Sequence, residues 1–268
     1  MKGLKVILVV AAVATAAASA FAQANPAFDT ASNYGGSWNS TPANLGSGFG
    51  PWNIIVQNNL GPPYAGTYPD TSSAVASNGY SWGSYANNPQ GSTLPSIDFV
   101  RPFTGGALSS GQTFSINLSA DGVGNGTGAA QGFSLETAPG GGGIGAAELT
   151  LQYAGSYMTD NMEIEDNNGT TNSSVSVNFS QLHAGINVTV TEGAAGAYTV
   201  VITPVAGGAP LATLTGTTSG LMNQVDVFND NTSGNGYFNN ISIVPEPSTI
   251  GLVVIGLLGA LTIRRRKV

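Results

Sequence analysis

The sequence contains no cysteine and only one histidine, His183. Disulfide bonds and thiolate chemistry are therefore excluded, and the chain has to be stabilised by an apolar core. A zinc site built from several histidines is excluded as well. A Ser-His-Asp triad would have to use His183. Because this residue directly precedes a predicted strand, we interpret it as a surface or turn histidine.

Positive charge is scarce between the two ends of the chain. Six of the seven Lys and Arg residues lie near the termini and only Arg101 lies between them, whereas Glu246 is the only one of fourteen acidic residues outside positions 23–243. This central region therefore has one cation against thirteen acids, a formal net charge of −12. Such a surface cannot neutralise phosphates, which argues against nucleic acids as partners, and it disfavours anionic lipid. It suits a soluble protein outside the cell or attraction for divalent cations.

Residues 1–22 have the features of a secretory signal peptide. Lys2 and Lys5 form a basic start, and the apolar run Leu4–Ala18 predicts a helix. Ala20-Phe21-Ala22 offers small residues on both sides of a cleavage site, so we expect signal peptidase to cut directly after it. No Arg-Arg pair precedes the apolar run, which favours general secretion over the twin-arginine route.

Residues 244–268 combine three features in a fixed order. Pro245-Glu246-Pro247 comes first, and its prolines cannot continue a hydrogen-bonded strand. The uncharged run Ile250–Ile263 predicts a single transmembrane helix, which spans roughly 20 Å. A basic tip follows, made of Arg264, Arg265, Arg266 and Lys267. We expect these cations to stay on the cytoplasmic side, which leaves the rest of the chain outside.

This tripartite tail resembles the PEP-CTERM sorting signal of Gram-negative bacteria. The resemblance covers about a tenth of the chain. It implies that the membrane protease exosortase recognises the tail, cuts near the motif and passes the protein to an exterior rich in exopolysaccharide. The protein would then be anchored only transiently before it reaches the cell surface or extracellular matrix. An ordinary tail anchor is the alternative interpretation.

The body, residues 23–243, alternates apolar and polar residues in many short segments. Examples are Ile97 and Phe99, then Phe114, Ile116 and Leu118, then Val175, Val177 and Phe179, and later Val225 and Val227. This period of two, interrupted by Gly, Asn and Pro about every ten residues, predicts half-buried antiparallel strands. No amphipathic helical segment of useful length lies between the two ends. The fold is therefore predicted to be all-β.

Ten to twelve such strands favour two packed sheets, because a single open sheet of that size would leave exposed edges. We predict a jelly-roll-like antiparallel β-sandwich, with a barrel or a parallel β-helix as alternatives. The body also loosely resembles concanavalin-like sandwiches, through its strand spacing and its closing segment 239–244. The aromatic segment 23–96 is expected to complete the same core; a separate domain is the alternative.

Enzyme motifs are weak. The glycine run at 140–145 fits G-x-G-x-x-G, but a predicted strand follows it and no helix, so we interpret it as a loop. One concanavalin-like glycosidase family has the pattern Glu-x-Asp-x-Glu on one strand. Glu163-Ile164-Glu165-Asp166 begins in this way but has Glu165 in place of the middle Asp, and Asn167 and Asn168 stand where the last acid belongs, which removes an acid or a nucleophile. Otherwise Glu163 and Glu165 would form the solvent face of a strand.

Two loops offer the oxygen ligands that calcium prefers. One contains Asp166 and continues to Gly169, and the other contains Asp230 within Asn-Asp-Asn-Thr-Ser-Gly. Both also fit ordinary hairpin turns, where Asn and Gly supply positive φ. We predict no cofactor, with Ca²⁺ at these loops as the alternative.

The three tryptophans, Trp38, Trp52 and Trp82, are candidates for stacking against sugars, although large aromatic residues more often lie in a core. Taken together, the sequence predicts a secreted, non-catalytic surface protein with a structural or adhesive role, sorted by exosortase. A carbohydrate-binding, lectin-like module with exopolysaccharide as partner is the first alternative. A glycoside hydrolase is the second.

Overall fold

The computed structural model describes residues 26–57, 64–87, 94–123, 128–139, 143–154, 161–169, 173–232 and 234–245. Pro26–Val244 forms one compact unit. The described residues form fifteen strands: β1 Ala27–Asp29, β2 Asn53–Gln57, β3 Ala65–Asp70, β4 Ser81–Ala86, β5 Ser96–Pro102, β6 Gln112–Ala120, β7 Ala130–Thr137, β8 Ala146–Ala154, β9 Asn161–Asp166, β10 Ser173–Asn178, β11 Ile186–Glu192, β12 Ala197–Pro204, β13 Ala212–Thr217, β14 Gln224–Asp230 and β15 Asn235–Pro245.

The strands form two antiparallel sheets, which confirms the predicted all-β sandwich. Sheet I has eight strands. Seven of them follow the order β13-β12-β11-β6-β15-β4-β3, and the eighth, β1, pairs with β15. Sheet II has seven strands in the order β10-β9-β8-β7-β14-β5-β2. Runs of consecutive strands, such as β11–β13 and β7–β10, are joined to strands from distant parts of the chain, as where β6 pairs with β11 and β14 lies between β5 and β7, so the topology is not a simple series of hairpins.

One apolar core lies between the sheets. Alternate residues of each strand face it, among them Phe114 and Ile116 of sheet I and Phe99, Phe133 and Val227 of sheet II, all buried. This arrangement follows from the pleat of a strand, which sends successive side chains to opposite faces. The period of two in the sequence was therefore a correct indication of which residues enter the core.

The aromatic segment before residue 97 contributes strands to both sheets. Of its four strands, β1, β3 and β4 belong to sheet I and β2 belongs to sheet II. Its tryptophans pack on one another inside the core, with ring centroids 5.5 Å apart for Trp38 and Trp82 and 5.3 Å apart for Trp52 and Trp82. Only the strand at 53–57 is evident from alternation in this segment, since the other three are short or contain glycine and proline.

Arg101 of β5 and Asp29 of β1 form a fully buried ion pair that connects the two sheets. The Arg101 guanidinium also donates to the carbonyl oxygens of Gly50 (3.0 Å) and Leu45 (2.6 Å) and lies 4.6 Å from the ring centroid of Trp52. Each polar atom that leaves water thus gains a partner, as a buried charge requires. The one cation of residues 23–243 therefore has a structural role on the core side of sheet II.

A five-residue helix, α1 Phe179–His183, interrupts the strands after β10. The interpretation of Phe179 as a strand residue was wrong. Asn178 Oδ1 accepts from the backbone N–H of Gln181 (3.0 Å), and the Gln181 side chain accepts from the backbone N–H of Asn178 (2.9 Å). This capping box starts a helix where alternation alone would extend the strand.

Among the described residues no helix has the length and apolar character needed to cross a bilayer. The predicted signal peptide, Glu246, Pro247, the predicted transmembrane helix and the basic tip 264–267 lie outside the described residues. Pro245, the first residue of the predicted sorting motif, is the last residue of β15.

Candidate functional site

The face of sheet II that points away from the core carries an unusual set of side chains. Along β14, Val225 and Val227 belong to the core, so Gln224, Asp226, Phe228 and Asp230 project to the opposite face. By the same alternation, Asp98 on β5 and Glu136 on β7 project there as well. We call the set Asp98, Glu136, Asp226, Phe228 and Asp230 the acidic face.

Strand register brings the carboxylates of the acidic face together. Asp98 lies directly opposite Phe228, and its diagonal neighbours on β14 are Asp226 and Asp230. Glu136 lies opposite Gln224 and diagonal to Asp226. Diagonal neighbours on one face are roughly 7–8 Å apart, within reach of each other's electrostatic field. Four acids from three adjacent strands therefore share one surface.

Three of these acids, Asp98, Asp226 and Asp230, have pKa values raised above those of ordinary carboxyl groups. Burial raises the pKa of Asp98 to about 6, where the charge of Glu136 adds to the effect and a hydrogen bond from Gln57 opposes it. Burial, and then the charge of Asp98, raises the pKa of Asp230 to about 7. The pKa of Asp226 is raised furthest, by burial first and then by the charges of Asp98, Glu136 and Asp230.

The shifts share a physical cause. Asp98 is 7% exposed and Asp226 is 3% exposed, so water solvates their charged forms poorly. The described residues include one cation, Arg101, and it lies on the core side of sheet II, paired with Asp29. The acidic face therefore gains no compensating positive charge from the part of the body that the structure describes.

Several buried polar atoms on this side of sheet II have no hydrogen-bond partner in the structure: Asp226 Oδ1, Asp230 Oδ1, Gln224 Oε1 and Glu163 Oε2. The orientation of the Gln224 amide is determined by its other end, since Nε2 donates to Glu136 Oε2 (2.6 Å) and to the carbonyl of Gly143 (3.1 Å). Gln224 Oε1 is an acceptor, and the three carboxyl oxygens are acceptors when their groups are ionised. A molecule that complements them must bring hydrogen-bond donors.

Phe228 is the aromatic residue of this surface. It is half-buried, with Asp98 opposite it on β5 and Gly132 opposite it on β7. A side chain at Gly132 would collide with the backbone of β8, since its Cβ would lie 2.1 Å from the carbonyl oxygen of Leu151. The hydroxyls of Ser134 and Thr150 hydrogen-bond each other (2.8 Å) on the next strands of the same face. An apolar ring surrounded by hydrogen-bonding groups is the kind of surface on which a sugar can stack.

The structure does not place the predicted tryptophans at a binding surface. Trp38, Trp52 and Trp82 are 3%, 7% and 0% exposed and belong to the core. Their ring faces contact one another and neighbouring aromatic rings, so none is available to a sugar. The physical reason is the large apolar area of the indole ring, because removing this area from water stabilises the core.

The two predicted calcium loops have other roles. Asp166 accepts hydrogen bonds from the Tyr198 hydroxyl (2.8 Å) and from the backbone N–H of Asn168 (3.1 Å), as in an Asx turn. Asp230 projects from the end of β14 and belongs to the acidic face. In the described part of the chain, no three His, Cys, Asp or Glu side chains converge as a metal site would require.

The predicted solvent face of β9 is partly wrong. Glu163 is 3% exposed, whereas Glu165 is half-buried. Glu163 lies between β8 and β10, opposite Gln152 and Ser174. Burial, and then the charge of Glu165, raises the pKa of Glu163. Both acids project to the same side of sheet II as the acidic face, and β7 and β8 lie between their strand and that of Asp226.

Among the described residues, His183 and Ser81 do not form part of a Ser-His-Asp triad. His183 is exposed at the end of α1, and its Nδ1 hydrogen-bonds the carbonyl of Ala120 (2.7 Å). Ser81 lies within a Gly-x-Ser-x-Gly segment, Gly79–Gly83, which the sequence interpretation did not use. This serine is 1% exposed in β4 and donates to Asp70 Oδ2 (2.9 Å), so it is a structural residue.

The sequence interpretation missed the acidic face itself. Asp98 and Asp226 are far apart in the chain, and nothing local connects them. One signal was present, however. Each acid stands between two core residues, Asp98 between Ile97 and Phe99 and Asp226 between Val225 and Val227. An acid at the centre of a strand, where it is not in a turn, marks a polar sheet face.

Comparison with known proteins identifies the tail. The model of the PEP-CTERM protein-sorting motif matches residues 244–267, which confirms the resemblance based on Pro245-Glu246-Pro247 and the basic tip. No curated protein matches the chain.

Several solved structures are similar to the body at low sequence identity. The globular domain of T. cruzi calreticulin is 11% identical, with a TM-score of 0.46 over 78% of this chain and 90% of that one. The exoplasmic/lumenal domain of VIP36, bound to Ca²⁺ and Man3GlcNAc, is 10% identical, with a TM-score of 0.41 over 72% and 82%. Alginate lyase A1-II′ is 11% identical, with a TM-score of 0.42 over 67% and 83%.

Proposed function

We propose that this protein is a non-catalytic surface protein with a structural or adhesive role. It crosses the inner membrane by general secretion, is held briefly by its C-terminal helix, and is passed by exosortase to the cell envelope or the exopolysaccharide matrix. The observation that carries the proposal is the PEP-CTERM motif at 244–267. The motif begins where β15, the last strand of the body, ends.

The electrostatics of the acidic face support a role without catalysis. A glycosidase needs two carboxyl groups in opposite states, one protonated as the acid and one ionised as the base or nucleophile. Here the pKa values of Asp98, Asp226 and Asp230 are all raised, by the same burial and by one another. The three pKa values are therefore shifted in the same direction, and this trio contains no pair of one raised and one lowered pKa.

Sorting is tested in a Gram-negative host with and without exosortase. The full chain is expressed, and the extracellular protein is analysed by mass spectrometry. We expect no peptide beyond about Pro247, and retention of the full tail in the membrane when exosortase is deleted. A Glu246→Ala variant should behave like the deletion, whereas Glu192→Gln, which removes an acid from β11, should be released normally. Recovery of the basic tip 264–267 outside the cell would reject the proposal.

A second function, carbohydrate binding, is favoured by one specific observation. Phe228 is a half-buried aromatic ring among hydrogen-bonding groups on an outer sheet face. A glycan array with the full chain in detergent tests this role. Phe228→Ala should lose most of the binding, and Phe28→Ala, which removes a ring that is 50% exposed on sheet I, should retain it. Equal binding by both variants would place any glycan site elsewhere.

A further inference from the structure

We propose that the acidic face binds a polysaccharide with free amino groups, such as a polymer of glucosamine, in preference to a neutral or uronic-acid polymer. This inference rests on the proposed carbohydrate-binding function and specifies its ligand class. Three features of this face support it: its charge, the kind of polar atoms that lack partners, and the aromatic ring of Phe228.

The charge of the surface selects against anionic polymers. Asp98, Glu136, Asp226 and Asp230 share one face, and Glu163 and Glu165 continue it towards β9. The one cation of the described residues, Arg101, is buried on the other side of sheet II and paired. A polyuronate would therefore meet like charge along its whole length. A protonated amine would meet the opposite charge and would remove the mutual repulsion of the acids.

The unpartnered atoms provide an independent indication. Gln224 is 0% exposed, and its amide contacts Glu136, yet its Oε1 has no donor. Asp226, 3% exposed, likewise has an oxygen without a donor. A buried polar atom without a partner costs about 1–3 kcal/mol. Each ammonium group has three donors, whereas a hydroxyl has one, so an amino sugar satisfies these acceptors with fewer contacts.

The shape of the surface is consistent with a sugar as the carrier of the amine. Phe228 offers a half-buried apolar ring among the polar groups of this face. Half-buried polar groups lie further along the same face, at Thr150, Gln152 and Glu165. A pyranose ring can cover the aromatic ring while its substituents reach the acids beside it. A polyamine without rings would gain the electrostatic attraction to the acids but no stacking on Phe228.

Binding to an amine should also release protons. The acids are partly protonated near pH 6, and an adjacent cation favours their ionised form. The groups that face Asp98 are Asp226 and Asp230 on β14, Gln57 on β2 and, at longer range, Glu136 on β7. None of these groups is a cation, so none of them already favours the ionised form of Asp98 as a bound amine would. A neutral oligosaccharide should bind without net proton release.

Isothermal titration calorimetry tests the inference with the full chain in detergent. The two probes are a β-1,4-linked glucosamine hexamer and the N-acetylglucosamine hexamer of equal length. At about pH 6 the free amines are protonated. We expect the glucosamine hexamer to bind at least about tenfold more tightly, to lose affinity as salt is raised, and to give a binding enthalpy that depends on the ionisation enthalpy of the buffer.

Variants locate the site. Asp226→Asn should weaken binding of the glucosamine hexamer about tenfold, and Glu192→Gln, which removes one acid from sheet I, should leave it unchanged. Circular dichroism confirms that both variants fold. Hexalysine, which has charge but no rings, should bind more weakly and should be insensitive to Phe228→Ala.

The outcomes separate this inference from the proposed function. Equal affinity for both hexamers, with loss in Phe228→Ala, would retain a carbohydrate-binding face and overturn its preference for amino sugars. Binding of neither hexamer would overturn both. Equal weakening by Asp226→Asn and Glu192→Gln would show attraction to the net charge of the body and would also overturn the inference. Sorting by exosortase is measured independently and is unaffected by any of these results.

Discussion

Replacing Asp98 by asparagine removes one charge from the acidic face while keeping the shape of the side chain. Asp98 is 7% exposed, and its carboxylate accepts a hydrogen bond from Gln57 Nε2 (3.3 Å). The amide oxygen of asparagine can accept the same bond. The substitution therefore isolates the cost of the buried charge, and we expect it to stabilise the protein at neutral and higher pH.

The magnitude follows from linkage between protonation and folding. The pKa of Asp98 is raised by burial from 3.8 to about 6, and a difference of about two is worth roughly 3 kcal/mol. Because the folded state holds the proton more tightly, its extra stability is complete below about pH 4 and is lost as pH rises to about 7. Relaxation and water reduce the value, so we expect Asp98→Asn to raise the free energy of unfolding by about 1–3 kcal/mol at pH 8 and by almost nothing at pH 4.

Urea unfolding followed by tryptophan fluorescence measures this difference, since all three tryptophans lie in the core and report its exposure. The wild type should lose stability between about pH 4 and pH 7, with a smaller loss in the variant. Glu165→Gln, which alters a half-buried acid on β9, is the control and should change stability by less than about 0.5 kcal/mol. Destabilisation by Asp98→Asn at pH 8, or a difference that does not vary with pH, would refute the reasoning.

Two further predictions concern the buried polar groups of the core. Asp29→Ala leaves the Arg101 charge unpaired in the interior and should lower the free energy of unfolding by about 3–5 kcal/mol, measured by urea unfolding; a loss below about 1 kcal/mol would contradict the structural role of the pair. Asn239, fully buried, donates to two backbone carbonyls (2.9 and 2.8 Å) and accepts from a backbone N–H (2.9 Å). Asn239→Ala should cost at least about 2 kcal/mol in the same assay, and a urea midpoint equal to that of the wild type would contradict this.

Local patterns were sufficient for some parts of the fold and not for others. The alternation around Phe99, Phe114 and Val227 predicted strands and core residues correctly, because the pleat of a strand is a local property. It failed at Phe179, where a capping interaction between Asn178 and Gln181 decided for a helix. It also failed at Glu163, since the burial of an outward-facing side chain depends on what lies around it in three dimensions.

The sequence by itself determined the sorting motif at residues 244–267 and the all-β class of this protein. Both the motif and the period of two are properties of consecutive residues. Only the tertiary structure decided that the three tryptophans are core residues and that Asp98, Asp226 and Glu136 form one surface. Those acids come from strands that are separated in sequence and adjacent in sheet II, and their mutual electrostatic effects exist only once β5, β14 and β7 have paired.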